Sequence, residues 1–190
     1  VIGITGSNGK TTVKEMVAAI LRKATWIKES SVVQQNDPVL ATEGNLNNDI
    51  GVPLMLLRLR QHHQYAVFEM GMNHIGEIAY LTQLVKPDVV LITNAGNAHI
   101  EGLGSIEAVA RAKAEIFQGL RHQGTAIINA DDTYAPLWRD YASSYPKIDF
   151  GLRQPAQISA TYQMNALTSQ MQLKLPDGEV TVHLQVPGVH

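Results

Sequence analysis

No cysteine occurs among the 190 residues of the chain, which excludes disulfides, thiolate metal sites and cysteine nucleophiles and agrees with a reducing compartment. Charge of one sign is also missing: 15 Lys plus Arg stand against 17 Asp plus Glu, a formal net charge of -2, so no basic field exists to hold a nucleic acid. No apolar run approaches the roughly 18 to 20 residues of a membrane-spanning helix. The opening Val1-Ile2-Gly3-Ile4-Thr5 lacks the basic flank of a signal peptide. Together these absences lead us to expect a cytoplasmic protein with no nucleic-acid partner and no membrane insertion. There is no initiator Met, and the chain opens inside an apolar run and stops at Val186-Pro187-Gly188-Val189-His190; both ends are expected to be cuts from a longer protein. What is present, 45% hydrophobic and 17% charged residues, is the composition of one sizeable globular domain with room for an appendage.

Val1 to Thr5 is a short apolar run followed by Gly6-Ser7-Asn8-Gly9-Lys10-Thr11-Thr12 and then by apolar residues at Val13, Met16, Val17, Ile20 and Leu21. That order predicts a strand, a glycine loop and an amphipathic helix. Apolar runs of strand length recur at Tyr65-Ala66-Val67-Phe68, Val89-Val90-Leu91-Ile92 and Thr125-Ala126-Ile127-Ile128, separated by helical patterns near 75–85 and 106–118. Strands this continuously apolar, alternating with helices, predict an α/β fold of P-loop type, a mostly parallel sheet covered by helices on both faces. The polar stretch 28–41 is expected to be a surface excursion. After Phe150 the pattern alternates instead, with Met171, Leu173 and Leu175, then Val180, Val182, Leu184 and Val186, around Pro176-Asp177-Gly178-Glu179. This predicts a β-hairpin. The expected organisation is therefore a parallel α/β body over 1–150 with a small antiparallel β-sheet appended over 151–190.

Gly6 and Gly9 allow a backbone path that turns N–H groups inward, the following helix points its positive end at the same spot, and Lys10 adds a mobile cation. Thr11 follows the lysine, where the hydroxyl of a P-loop reaches a magnesium ion on the β and γ phosphates. The strict pattern places glycine five positions before Gly9, where this chain has Ile4, with Gly3 one place early. The alternative is a glycine-rich turn at a helix start. Glu69 ends the strand 65–68, at the edge where α/β folds place their ligands, and can hold magnesium directly or through water; otherwise it is a solvated carboxylate. The strand 88–93 runs into a polar loop at that edge containing His99, a candidate metal or phosphate ligand. His62 and His63 read as surface, and His74 is ambiguous. On the helix from Ile106, with Ser105 as N-cap, Lys113 lies three to four residues from Val109, Ala110 and Phe117 and so falls in the apolar stripe. A free ammonium there is costly unless paired, and snorkelling to a carboxylate or water is the alternative to a functional role.

Gly3-Ile4-Thr5-Gly6-Ser7-Asn8-Gly9-Lys10-Thr11-Thr12 resembles the ATP loop of the Mur ligases, ATP-dependent amide-forming enzymes of peptidoglycan precursor synthesis. Glu43 to Pro53, Phe68 to Ile78, Asn94 to Gly104, Ala112 to Phe117 and Asn129-Ala130-Asp131-Asp132 resemble the branch of that family that joins D-alanyl-D-alanine to UDP-N-acetylmuramoyl-tripeptide. The stretch 28–41 departs from the family in its greater length. The resemblance implies the central ATPase domain of a three-domain enzyme, with an N-terminal UDP-binding domain and a C-terminal Rossmann-like domain absent from this chain, acting as a monomer. It further implies that Gly6, Ser7, Asn8, Gly9, Lys10, Thr11 and Thr12 hold ATP, and that Thr11 and Glu69 match magnesium ligands, with His99 at a second ion. Lys113 matches a lysine carried as a carbamate. Segment 44–51, with Asn45, Asn47 and Asn48, would face nucleotide and peptide substrate, and Gly188-Val189-His190 stands at the start of the adenine-side motif. Two alternatives remain: another Mur or folylpolyglutamate-type ligase, and a P-loop module that binds nucleotide without chemistry.

Overall fold

The computed structural model describes residues 1–28, 36–97, 100–164 and 168–185. β1 (Ile2–Thr5) lies inside the sheet, parallel to β3 (Tyr65–Glu69) on one side and β4 (Val89–Ile92) on the other. β2 (Val39–Ala41) pairs outside β3, while β5 (Thr125–Asn129) and β6 (Lys147–Gly151) continue beyond β4, all parallel. The chain fills one side of β1 and then crosses to the other. Such a reversal opens a crevice at the carboxyl ends of the strands.

Helices connect these strands: α1 (Lys10–Lys28), α2 (Gly51–Leu56), α3 (Glu77–Val85), α4 (Ile100–Leu103), α5 (Ile106–Ala114), which continues into a 3-10 turn (Glu115–Gly119), and α6 (Ala135–Tyr141). One sheet face is closed by a large cluster that includes Phe68, Ile92, Ile128, Val109, Ile116 and Trp138. Trp138 satisfies its buried indole N–H on the Ala110 carbonyl at 3.1 Å, which ties α6 to α5. The opposite face carries a smaller cluster, Ile4, Ala18, Val39 and Val67, beneath α1. Register places Leu91, Ile127 and Ile148 beside Ile4 on that face. All three are half-buried, so the helical cover expected on both faces closes the first over β1, β3, β4 and β5 and, among the described residues, is partial on the other.

The expected antiparallel C-terminal strands are present, and two other expectations are corrected. The C-terminal strands β7 (Ile158–Met164), β8 (Ser169–Leu175) and β9 (Gly178–Leu184) are antiparallel, with the hairpin at the expected turn, yet they extend the same sheet. The junction is a short parallel pairing of Phe150 and Gly151 with Ile158 and Ser159. The stretch 28–41 is not all excursion: its last residues form the edge strand β2, with Val39 and Leu40 buried, and residues 29–35 lie outside the described residues. On α1 the sheet-facing stripe runs through Lys14, Ala18, Leu21 and Thr25, which places Met16 and Ile20 on the far side, 46% and 65% exposed. A residue two positions along a helix is turned about 200° away.

Candidate phosphate and metal site

The loop after β1 is pinned by the end of β4. Ser7 N–H donates to the Asn94 carbonyl (2.9 Å), Asn8 N–H to Asn94 Oδ1 (2.9 Å), and both Thr93 Oγ1 (2.6 Å) and Asn94 Nδ2 (3.1 Å) donate to the Asn8 carbonyl. Gly96 N–H closes the knot on Ser7 Oγ at 2.9 Å. Gly6 has φ +153°, and a Cβ there would stand 1.8 Å from Thr93 Oγ1, so only glycine fits. Because Ser7 and Asn8 spend their amides on Asn94, the amides of Gly9, Lys10, Thr11 and Thr12 remain at the start of α1, bonded to no described residue. They share that end with the positive pole of the helix. Lys10 folds back, donating to the carbonyls of Gly6 (2.8 Å) and Ser7 (3.4 Å). Burial lowers its pKa, and the nearby Glu69 charge works in the other direction.

Glu69, 2% exposed, ends β3 directly opposite Ile4. Its Oε2 accepts from Thr11 Oγ1 and its Oε1 from Asn47 Nδ2, both at 2.9 Å, and its N–H donates to Thr42 Oγ1 at 3.0 Å. A carboxylate and a hydroxyl at the mouth of a phosphate loop are hard oxygen donors, and magnesium is commonly held by one or two such groups plus phosphate and water. The absence of a group of three His, Cys, Asp or Glu among the described residues does not conflict with that mode. The residues fit the ion.

Lys113 on α5 is 1% exposed and its Nζ donates to no described residue. Its pKa falls to about 7, first because burial disfavours the ammonium and then because Lys10 repels it. Snorkelling to a described carboxylate is thus not what its side chain does. In the next turn the Glu115 carboxylate accepts from Gly76 N–H (2.9 Å) and Ala79 N–H (3.1 Å), capping α3 from outside its own strand of sequence.

The other expected residues divide. Asn45 is exposed at the loop surface, whereas Asn47 holds Glu69 and Asn48 Oδ1 accepts from Gly51 N–H (2.8 Å) at the head of α2. Thr12 is exposed beside Thr11. His74 is exposed and pairs with Glu77 at 2.9 Å. His99 and Gly188-Val189-His190 lie outside the described residues. Sequence reading missed Thr42, Thr93 and Asn94 as framework of the site, and it missed Lys14, which is 1% exposed. Lys14 sits four residues from Lys10 and from Ala18, the same helical spacing that singled out Lys113.

A parallel sheet with a phosphate loop after its first strand, and a carboxylate at the end of the neighbouring strand facing the loop threonine, defines a P-loop α/β domain. Residues 4–190 match the Mur ligase middle domain, and the chain belongs to that family. It is 42% identical to the UDP-N-acetylmuramoyl-tripeptide–D-alanyl-D-alanine ligase of Haemophilus influenzae, over all of this chain and 39% of that protein. Among solved structures it resembles MurF from Acinetobacter baumannii, with a TM-score of 0.87 and 40% identity over 98% of this chain and 38% of that one. MurF of Thermotoga maritima in complex with ADP gives a TM-score of 0.77 at 25% identity, over 96% of this chain and 39% of that one. The chain therefore spans about two fifths of the length of these relatives.

Proposed function

We propose that this chain is the ATP-binding part of a longer cytoplasmic, monomeric ligase that joins D-alanyl-D-alanine to UDP-N-acetylmuramoyl-tripeptide, the UDP-binding and Rossmann-like domains lying outside it. The observation that carries this reading is the buried Glu69 carboxylate meeting the Thr11 hydroxyl at the mouth of a pinned phosphate loop, in a chain whose relatives bear that ligase name.

In this reading the amides of Gly9 to Thr12 and the Lys10 ammonium bind the β and γ phosphates of ATP, Lys10 leaving the loop carbonyls to do so. Thr11 and Glu69 hold magnesium, with His99 assigned to a second ion by resemblance alone. Magnesium bound there would supply positive charge that lessens repulsion between the attacking carboxylate and the phosphates. The terminal carboxylate oxygen of the tripeptide bonds to the γ-phosphorus as the bond to the ADP oxygen breaks. The amine of D-alanyl-D-alanine then attacks the acyl carbon, phosphate leaves with the C–O bond electrons, and the amine gives up a proton. Asn45 faces the substrate side, and Asn47 and Asn48 shape the loop that presents it.

Lys113 acts as a carbamate. Its amine is buried, has no partner among the described residues and is repelled by Lys10, so a neutral nitrogen is favoured; it adds to carbon dioxide, a C–N bond forming as one C=O π bond opens onto oxygen and a proton departs, leaving an anion where an ammonium is disfavoured. The deciding assay follows ADP release by the whole ligase. Release that requires both the tripeptide nucleotide and the dipeptide supports the proposal, and ATP turnover indifferent to the peptide carboxylate overturns it.

A further inference from the structure

Lys14 is a buried cation that the mechanism above leaves unused. Its Nζ donates to the Thr42 carbonyl at 2.6 Å and pairs with Glu15 Oε1 at 2.7 Å; the side chains are 2% and 62% exposed. Placing an ammonium beneath a helix is costly, and an apolar side chain of similar length would fill the space without that cost. What the ammonium adds is a directed bond from α1 to the end of β2. Thr42 uses all its polar groups there: its N–H donates to the Val67 carbonyl (3.0 Å), its Oγ1 accepts the Glu69 N–H (3.0 Å), and its carbonyl accepts Lys14. The loop that leaves Thr42 carries Asn47, which accepts Gly71 N–H on its carbonyl at 2.7 Å and donates to Glu69 Oε1 at 2.9 Å. Lys14 also stands one turn after Thr11, whose hydroxyl donates to the other Glu69 oxygen.

We propose that Lys14 is a positioning residue for the magnesium ligands, fixing the Thr42–Asn47 loop to α1 so that Thr11 and Glu69 are held in one geometry before any ion arrives. The inference rests on the functional reading given above. Lys14 touches neither substrate nor ion; it acts through Thr42 and Asn47. Groups that orient a metal ligand typically control about 10- to 100-fold in metal affinity, whereas a group that only supports the fold changes metal and nucleotide binding together.

The test uses the whole ligase and three readouts: thermal unfolding, ADP affinity in chelator, and the magnesium concentration that half-saturates ADP-dependent binding, followed calorimetrically. Lys14→Met is expected to raise the half-saturating magnesium about tenfold while ADP affinity in chelator stays within about twofold. Lys14→Gln, whose side-chain nitrogen stands one atom short of the Thr42 carbonyl that Lys14 reaches, is expected to shift the magnesium requirement the same way and carries the test if Lys14→Met does not fold. Combined with Asn47→Leu, Lys14→Met should add less than its separate effect, because both act on one loop. An unchanged magnesium requirement in folded variants, equal losses with and without the metal, or strict additivity with Asn47→Leu would each overturn the proposal. Absence of magnesium-dependent ADP binding in the parent enzyme would overturn the functional reading instead, and the inference with it.

Discussion

Replacing Lys113 by Met should make the protein more stable, most of all below pH 7. Met keeps most of the buried stem and removes the ammonium. A lysine pKa of about 7 in the fold, against the ordinary 10.5, means the folded chain loses the proton at a pH where the unfolded chain keeps it. Charging the buried amine therefore costs up to about 5 kcal/mol, fully felt below pH 7, and the penalty declines as pH rises toward 10.5. The native protein itself gains stability across that window. After allowance for local relaxation, Lys113→Met is expected to gain about 3 kcal/mol at pH 7 and less than about 1 kcal/mol at pH 10. Urea unfolding followed by circular dichroism, in buffers free of carbon dioxide, reads this as a midpoint shift of about 1 to 2 M at pH 7, from a slope of about 2 kcal/mol per M. Bicarbonate should then stabilise the native protein and leave Lys113→Met unchanged, because only the lysine can take up carbon dioxide. A gap between the two proteins that stays flat from pH 6 to 10, or a destabilised variant, would refute the claim that the buried charge is uncompensated.

Lys10→Ala and Glu69→Ala in the whole ligase should each lower turnover about 10²- to 10³-fold while moving the melting temperature little; near-normal turnover at saturating magnesium would put the site elsewhere. Lys113→Ala should be nearly inactive and partly restored by short-chain carboxylates that occupy the vacated anion position, measured as ADP release with and without added acetate. Gly6→Ala should cost about 3 kcal/mol of stability from overpacking against Thr93, and Thr93→Ala should recover part of it; an unaffected unfolding midpoint in Gly6→Ala would show that the loop yields.

Helical and strand periods carried most of the fold in advance, since β1, β3, β4 and β5 are apolar enough to stand out and the hairpin turn is marked by Pro176-Asp177-Gly178. β2 was hidden because three residues, Val39 to Ala41, follow a polar run too closely for any period to register. β6 was hidden because Lys147 and Asp149 alternate with Ile148 and Phe150 on a half-buried strand. The loop, Lys10, Thr11, Glu69 and Lys113 stood out as candidates because residue type and local spacing single out each, and the structure brings the Thr11 hydroxyl and the Glu69 carboxylate together. Asn47 was legible only as a substrate candidate, because its bond to Glu69 spans 22 positions and no local pattern encodes it. Lys14 was legible in principle; of the apolar residues expected on α1, Val13, Val17 and Leu21 do pack toward the sheet, while Met16 and Ile20 are exposed.

The knot between Ser7, Asn8, Thr93, Asn94 and Gly96 moves a cost from one event to another. Ordering a loop residue takes about 1 to 2 kcal/mol of backbone entropy, and here that entropy is surrendered when the domain folds rather than when a ligand arrives. If the loop binds phosphates as proposed, their encounter would require little waiting for the loop to find its shape, and the rate of capture would be set by diffusion and by Lys10 releasing two carbonyls. The same transfer makes the end of β4 a hidden determinant of affinity. In the proposed reading, substitutions at Thr93 or Asn94 would loosen a loop they hold without changing any group assigned to phosphate, and would register in binding assays as if the loop itself had been altered.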